Sequence, residues 1–211
     1  MTSTLAYLSP LPPARSGIAH YSAMLLAELA QAVAVSAVVP DGDLAAVREA
    51  AGNAGYAVIG LAEYRNRREQ FGAIVYQLGN NPHHEWIYRE AMAYPGVIVL
   101  HDLVLHHLIV EMTLACGDVE GYVDALRANH GEPGAAWARG RAAGLHTELA
   151  NFLMPASIDV ANRSRAVIVH NRYAAERLES FGVATPIHVV PHPYQPVTID
   201  AERRNDVRLR V

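Results

Sequence analysis

Short, almost wholly apolar runs recur along this chain, each followed by a longer amphipathic one, and that alternation limits the fold more than any other feature. The strand-like runs are Thr4–Leu8, Ala34–Val39, Tyr56–Ile59, Ala73–Gln77, Val97–Leu100, Ala166–Val169 and Ile187–Val190. Most are continuously apolar, as strands buried on both faces of a parallel sheet must be. Helical patterns lie between them at about 17–31, 43–52, 83–94, 102–115, 119–129, 134–150 and 171–180. In the first, Ile18, Tyr21, Ser22, Leu25 and Leu29 form one stripe. Strand–helix alternation predicts an α/β fold with a Rossmann-like, doubly wound parallel sheet of about seven strands. From Asp102 to about Arg165 no strand pattern interrupts the helical one, which predicts a helical insertion between the fifth and sixth strands.

At 211 residues, 51% of them hydrophobic, the chain can build one sizeable core but not two. A net charge of −4 gives no basic stripe for nucleic acid. All 17 basic residues are arginines, which removes lysine as a Schiff-base or phosphate ligand. The single cysteine, Cys116, allows no internal disulfide and reads as a small buried thiol. There is no signal-peptide pattern, and no run approaches the roughly 20 apolar residues of a membrane span. The expectation is a soluble cytoplasmic protein, with peripheral contact at the inner membrane face left open. Arg65-Asn-Arg-Arg68 reads as a solvated helix end or a small basic patch. Residues 1–195 read as one domain, and 196–211 as a polar linker that enters a truncated second domain through the strand-like Val207–Val211.

In doubly wound folds ligands bind beyond the carboxyl ends of the strands, so the loops there hold the candidate chemistry. After the first strand, Ser9-Pro-Leu-Pro-Pro-Ala-Arg-Ser-Gly17 leads into a helix. Ser16 can cap it, and Gly17 leaves its first amides uncovered for an anion. After the fourth strand, Asn80 and Asn81 can offer amide hydrogen bonds to a hydroxyl-rich ligand, and His83 and His84 can do the same. The fifth strand ends in His101-Asp102, an imidazole whose tautomer a carboxylate can fix. Asp102 can equally cap the next helix. The sixth ends in His170-Asn171, and the seventh leads to a proline-flanked His192.

Ser9-Pro-Leu-Pro-Pro-Ala-Arg-Ser-Gly-Ile18, Val99-Leu-His-Asp102, Val167-Ile-Val-His-Asn171 and Val189-Val-Pro-His-Pro193 occur in that order. Over about residues 3 to 195 the set resembles the N-terminal domain of the family 4 glycosyltransferases, the retaining GT-B group. The resemblance implies that Gly17, with Ser16, lies against a donor diphosphate. It implies that His101 lies near the transferred sugar, and that Asn80, Asn81, His83, Asp102 and His170 line the acceptor cleft. It implies no cofactor and no metal, a nucleotide-sugar donor as substrate, and a C-terminal donor-binding domain as partner. The sequence departs from the family where Pro193 follows His192 in place of the usual glycine-containing linker. Two other readings remain. One is a freestanding module that binds a sugar or sugar phosphate. The other is a metal-dependent hydrolase that gathers His101 and Asp102 with His106, His107 and either His83 or His84.

Overall fold

The computed structural model describes residues 4–193 apart from 146 and 148. The expected linker at 196–211 and the strand-like Val207–Val211 lie outside the described residues. Seven strands form: β1 (Thr4–Leu8), β2 (Ala34–Val39), β3 (Ala57–Gly60), β4 (Ala73–Leu78), β5 (Val97–Leu100), β6 (Ala166–Val169) and β7 (Ile187–Val189). They make one sheet in the order β3-β2-β1-β4-β5-β6-β7. Every pairing is parallel.

Successive strand residues point to opposite faces, so each apolar strand supplies two cores. In β1, Tyr7 enters one core, while Ala6 and Leu8 enter the other. In β2, Ala37 and Val39 separate from Val38 in the same way. The first core is closed by α1 (Gly17–Ala32) through Leu26 and by α2 (Leu44–Ala51) through Val47. The second is closed by α3 (Leu61–Arg67), α4 (Glu85–Ala93) and the helices that follow. Those are α5 (His106–Met112), α6 (Val119–Ala142), α8 (Ile158–Arg163) and α9 (Arg172–Ser180), while the short α7 (Leu149–Leu153) keeps Leu149, Phe152 and Leu153 exposed. The chain winds one way from β1 and the other way from β4. The loops after these two neighbouring strands therefore diverge and open a crevice at the carboxyl edge.

The helical insertion between β5 and β6 is present, but its pieces differ from expectation. The two helices read at about 119–129 and 134–150 are joined in α6, bent at Gly131, whose φ is 65°. Asp102 does not cap a helix, because α5 begins only at His106. The short α3 and α8 were not legible, since α3 follows β3 without a loop and buries only Tyr64. In α1 the buried residues are Ala19, Ser22 and Leu26, so Ile18 and Tyr21 are turned away from the core centre. Cys116 is exposed rather than buried. Its apolar run breaks at Thr113, and the thiol lies in a turn on the surface.

The arginines of α3 and the turn after it serve the fold. Arg65 donates to the buried carboxylate of Glu90 at 2.8 and 2.6 Å, Arg67 pairs with Glu63, and Arg68 lies over the Tyr94 ring. No helix among the described residues is long and apolar enough to cross a membrane. The Arg65–Glu90 pair is asymmetric, with Arg65 56% exposed and Glu90 5% exposed. Removing the arginine strands a buried charge, whereas removing the carboxylate frees an arginine that water can solvate. Urea denaturation should therefore show Arg65→Ala losing about 2–3 kcal/mol and Glu90→Leu losing clearly less.

Candidate functional site

The loop after β1 is fixed by a buried hydroxyl chain. Tyr7 donates to Ser22 at 3.1 Å, Ser22 meets Ser9 at 2.7 Å, and Ser9 donates to the Pro10 carbonyl at 2.8 Å. This ties β1, its loop and α1 together. Ser16 then caps α1, its hydroxyl accepting the Ala19 amide at 3.0 Å. The amides of Gly17 and Ile18 have no carbonyl of their own helix to bond. A methyl group added at Gly17 would meet no atom within 4 Å.

One turn along the same face of α1 stands Tyr21, whose ring lies 4.8 Å from that of His101, edge to face. His101 ends β5 and lies between three elements. Its Nε2 donates to the side-chain oxygen of Gln77 at 2.7 Å. Gln77 is fully buried in β4, and its backbone carbonyl accepts from His84 Nδ1 at 2.9 Å. Gln77, and not Asp102, thus sets the tautomer of His101. The Asp102 carboxylate instead accepts the Asn80 amide at 2.9 Å, which holds the loop after β4 to the loop after β5. Gly79 in that loop must be small, because a Cβ there would come 2.5 Å from Ile18 and 3.0 Å from His84.

His170 and His192 complete the edge. His170 Nδ1 donates to the Val190 carbonyl at 2.9 Å. Its ring stacks on His192 with centroids 3.8 Å apart and lies 4.9 Å from that of His101. Burial pushes the His101 pKa down to about 3, and the neighbouring His170, His192 and His84 rings push in the same direction. Burial also lowers His170, reinforced by His192 and partly offset by the bond to Val190. Both rings are therefore neutral at pH 7.

The other expected site residues divide between two clefts. His83 lines one of about 650 Å³ with Leu11, Arg15, Val47, Trp86 and Arg89. Asn80 and Asp102 line a second of about 530 Å³ with Phe152, Tyr173, Arg177 and Phe181. Asn80 and Asn81 also have structural work. The Asn80 side chain accepts the Leu108 amide and so caps α5, while Asn81 accepts the His83 amide. The imagined group of His101, Asp102, His106 and His107 is not assembled. His106 is buried, bonded to the Met154 carbonyl and Tyr122, and burial lowers its pKa to about 4. His107 is exposed near Glu111. Sequence reasoning missed Gln77, whose signal was a polar residue inside an apolar strand. It also missed Tyr21 as a site residue and the approach of His192.

Three buried nitrogens near this edge, Gln77 Nε2, His84 Nε2 and His170 Nε2, have no hydrogen-bond partner among the described residues. Buried polar groups are almost always satisfied, so each of these nitrogens calls for a partner such as an ordered water.

The chain is similar to the solved structure of the Medicago truncatula protein UGT71G1 complexed with UDP-glucose, at 10% identity and a TM-score of 0.45. The match covers 98% of this chain and 56% of that one, so this chain spans little more than half the length of the protein it matches. No family model matches. No curated protein matches either.

The depressed histidines make stability depend on acid. An unfolded histidine takes a proton near pH 6.5, whereas folded His101 does so only near pH 3. Stability is complete above the first value and falls as pH drops towards the second. Urea midpoints measured from pH 7.5 to 4.5 should fall, and His101→Gln should flatten the slope by removing one titrating group. An unchanged slope would contradict the burial of His101.

Proposed function

We propose that this chain is the acceptor-side half of a glycosyltransferase of the family 4 type, which passes a sugar from a nucleotide-sugar donor to an acceptor hydroxyl with retention. The observation that carries this reading is the placement of His101. It is held neutral by burial at the carboxyl end of β5, and it touches Tyr21 one turn from the uncovered amides of Gly17 and Ile18. On this reading an anion site at the start of α1 and a sugar site at His101 adjoin near the point where the sheet reverses.

Each residue has a role that follows from charge. As the bond from the anomeric carbon to the diphosphate breaks, the leaving group gains negative charge. The amides of Gly17 and Ile18, with Ser16 holding the helix end, stabilise it. The sugar becomes oxocarbenium-like. A neutral His101 can hydrogen-bond its hydroxyls without placing a positive charge beside the developing cation. The acceptor hydroxyl enters from the cleft between the loops after β4 and β5 and the helical insertion. There Asn80 and Asp102 offer polar groups, and Tyr173 and Phe152 offer ring faces. His170 closes the far side, and His83 borders the neighbouring cleft. A second domain supplies the groups that grip the nucleotide, so the described residues alone bind the donor weakly.

Gly17→Ala tests the diphosphate site. The helix accommodates the added methyl, since nothing lies within 4 Å of it. Calorimetric titration with UDP-glucose as probe should show weak binding that the variant reduces about tenfold or more, while the melting temperature stays within about 2 °C of the parent. Equal binding by parent and variant would remove the diphosphate from Gly17. Binding without transfer to any acceptor, in the longest form of the protein that can be made, would favour the sugar-binding module instead.

A further inference from the structure

The three histidines at the carboxyl edge form a group that the sugar-transfer reading only partly uses. One ring nitrogen from each of His101, His170 and His192 lies within 4.8 Å of those from the other two. The residues come from the ends of three adjacent strands, β5, β6 and β7. We propose that they bind a divalent transition metal of the zinc class, through three imidazoles with the remaining coordination position open towards the cleft.

Several features point to a cation in preference to an anion. Each of the first two rings has one nitrogen fixed as a donor. His101 Nε2–H is taken by Gln77, and His170 Nδ1–H is taken by the Val190 carbonyl. Each ring therefore keeps one unprotonated nitrogen with a lone pair. For His170 that nitrogen is Nε2, which is buried and has no partner among the described residues. Metal-bound histidines are held in this way, the distal N–H given to a carbonyl or carboxyl-type oxygen so that ring and tautomer are set. Burial and mutual proximity keep His101 and His170 neutral, and only the neutral ring is a ligand. An anion would need protonated rings, which the same burial opposes.

Imidazole lone pairs lie in the ring plane, so His192, now stacked on His170 at 27°, must turn out of that stack for the three nitrogens to converge. Zinc–nitrogen bonds of about 2 Å place tetrahedral ligands roughly 3.3 Å apart, so the nitrogens must also draw in by up to about 1.5 Å. His192 can supply that movement, since it is exposed and follows the last strand. Three protein ligands and an open position are the arrangement of zinc sites that bind a further oxygen ligand, and a hydroxyl or phosphate oxygen in the cleft fits that place. A bound dication and an oxocarbenium-like sugar exclude each other at His101, so metal binding stands apart from the sugar-transfer reading and is measured without any sugar nucleotide.

The test is metal binding by the chelator-stripped protein. Zinc affinity is read against a competing chromophoric chelator, and Co²⁺ is read by its visible absorption. The expected result is one metal per chain, an intense tetrahedral-type Co²⁺ band and a melting temperature raised by zinc. His192→Ala, at an exposed position that leaves the fold intact, should weaken zinc binding by at least about tenfold and abolish the Co²⁺ band. His101→Ala should do the same, and His107→Ala should change neither. Failure to bind one equivalent of metal would overturn the proposal. So would full binding by His192→Ala, or loss of binding in His107→Ala, which would move the metal to the exposed His107–Glu111 pair.

Discussion

Gln77 is the residue around which the carboxyl edge is organised. It is completely buried at the end of β4, where an amide must bond or impose a cost of a few kcal/mol. Its side-chain oxygen holds His101 from β5, and its backbone carbonyl holds His84 from the turn before α4. One residue thus fixes two imidazoles, from the segments after β4 and β5. The Asn80 amide then closes on Asp102, and the Asn80 side chain reaches on to cap α5. The loops after β4 and β5 are locked to each other and to the insertion before any ligand arrives. Sites of this kind lose little when they bind, because their side chains are already ordered.

The sheet itself was legible because its strands obey a simple rule. A strand buried on both faces is apolar at nearly every position. Thr4–Leu8, Ala34–Val39, Val97–Leu100 and Ala166–Val169 form as read, with no boundary moved. The α3 and α8 helices escaped because short helices are held by packing more than by their own periodicity. The α1 stripe was displaced because its apolar positions serve two purposes. Leu26 fills the core, while Ile18 packs on Gly79 and Tyr21 turns to the histidines. A hydrophobic pattern does not distinguish a core contact from a site wall.

The side chains gathered at the carboxyl edge were legible one by one and not in their assembly. His101 and His170 were marked by following strand ends and Gly17 by opening a helix, which are properties of chain order. The partner of His101 was misread as Asp102, its neighbour in sequence, when the true partner lies 24 residues away in β4. Parallel strands bring such distant residues together at one edge, and nothing in local spacing records it. The histidines expected to form a metal group, His101 with His106 and His107, are separated because α5 starts late and buries His106 against Tyr122. The group that does form draws on β5, β6 and β7, and it depends on the β7 exit folding His192 over His170.

The central claim is that an anion pocket at the start of α1 and a sugar pocket at His101 adjoin. A crystal structure of the protein soaked with UDP-glucose measures this directly. The account predicts diphosphate density at the amides of Gly17 and Ile18, with the hexose beside His101. A nucleotide sugar bound elsewhere, with the Gly17–His101 crevice filled only by solvent, would contradict it.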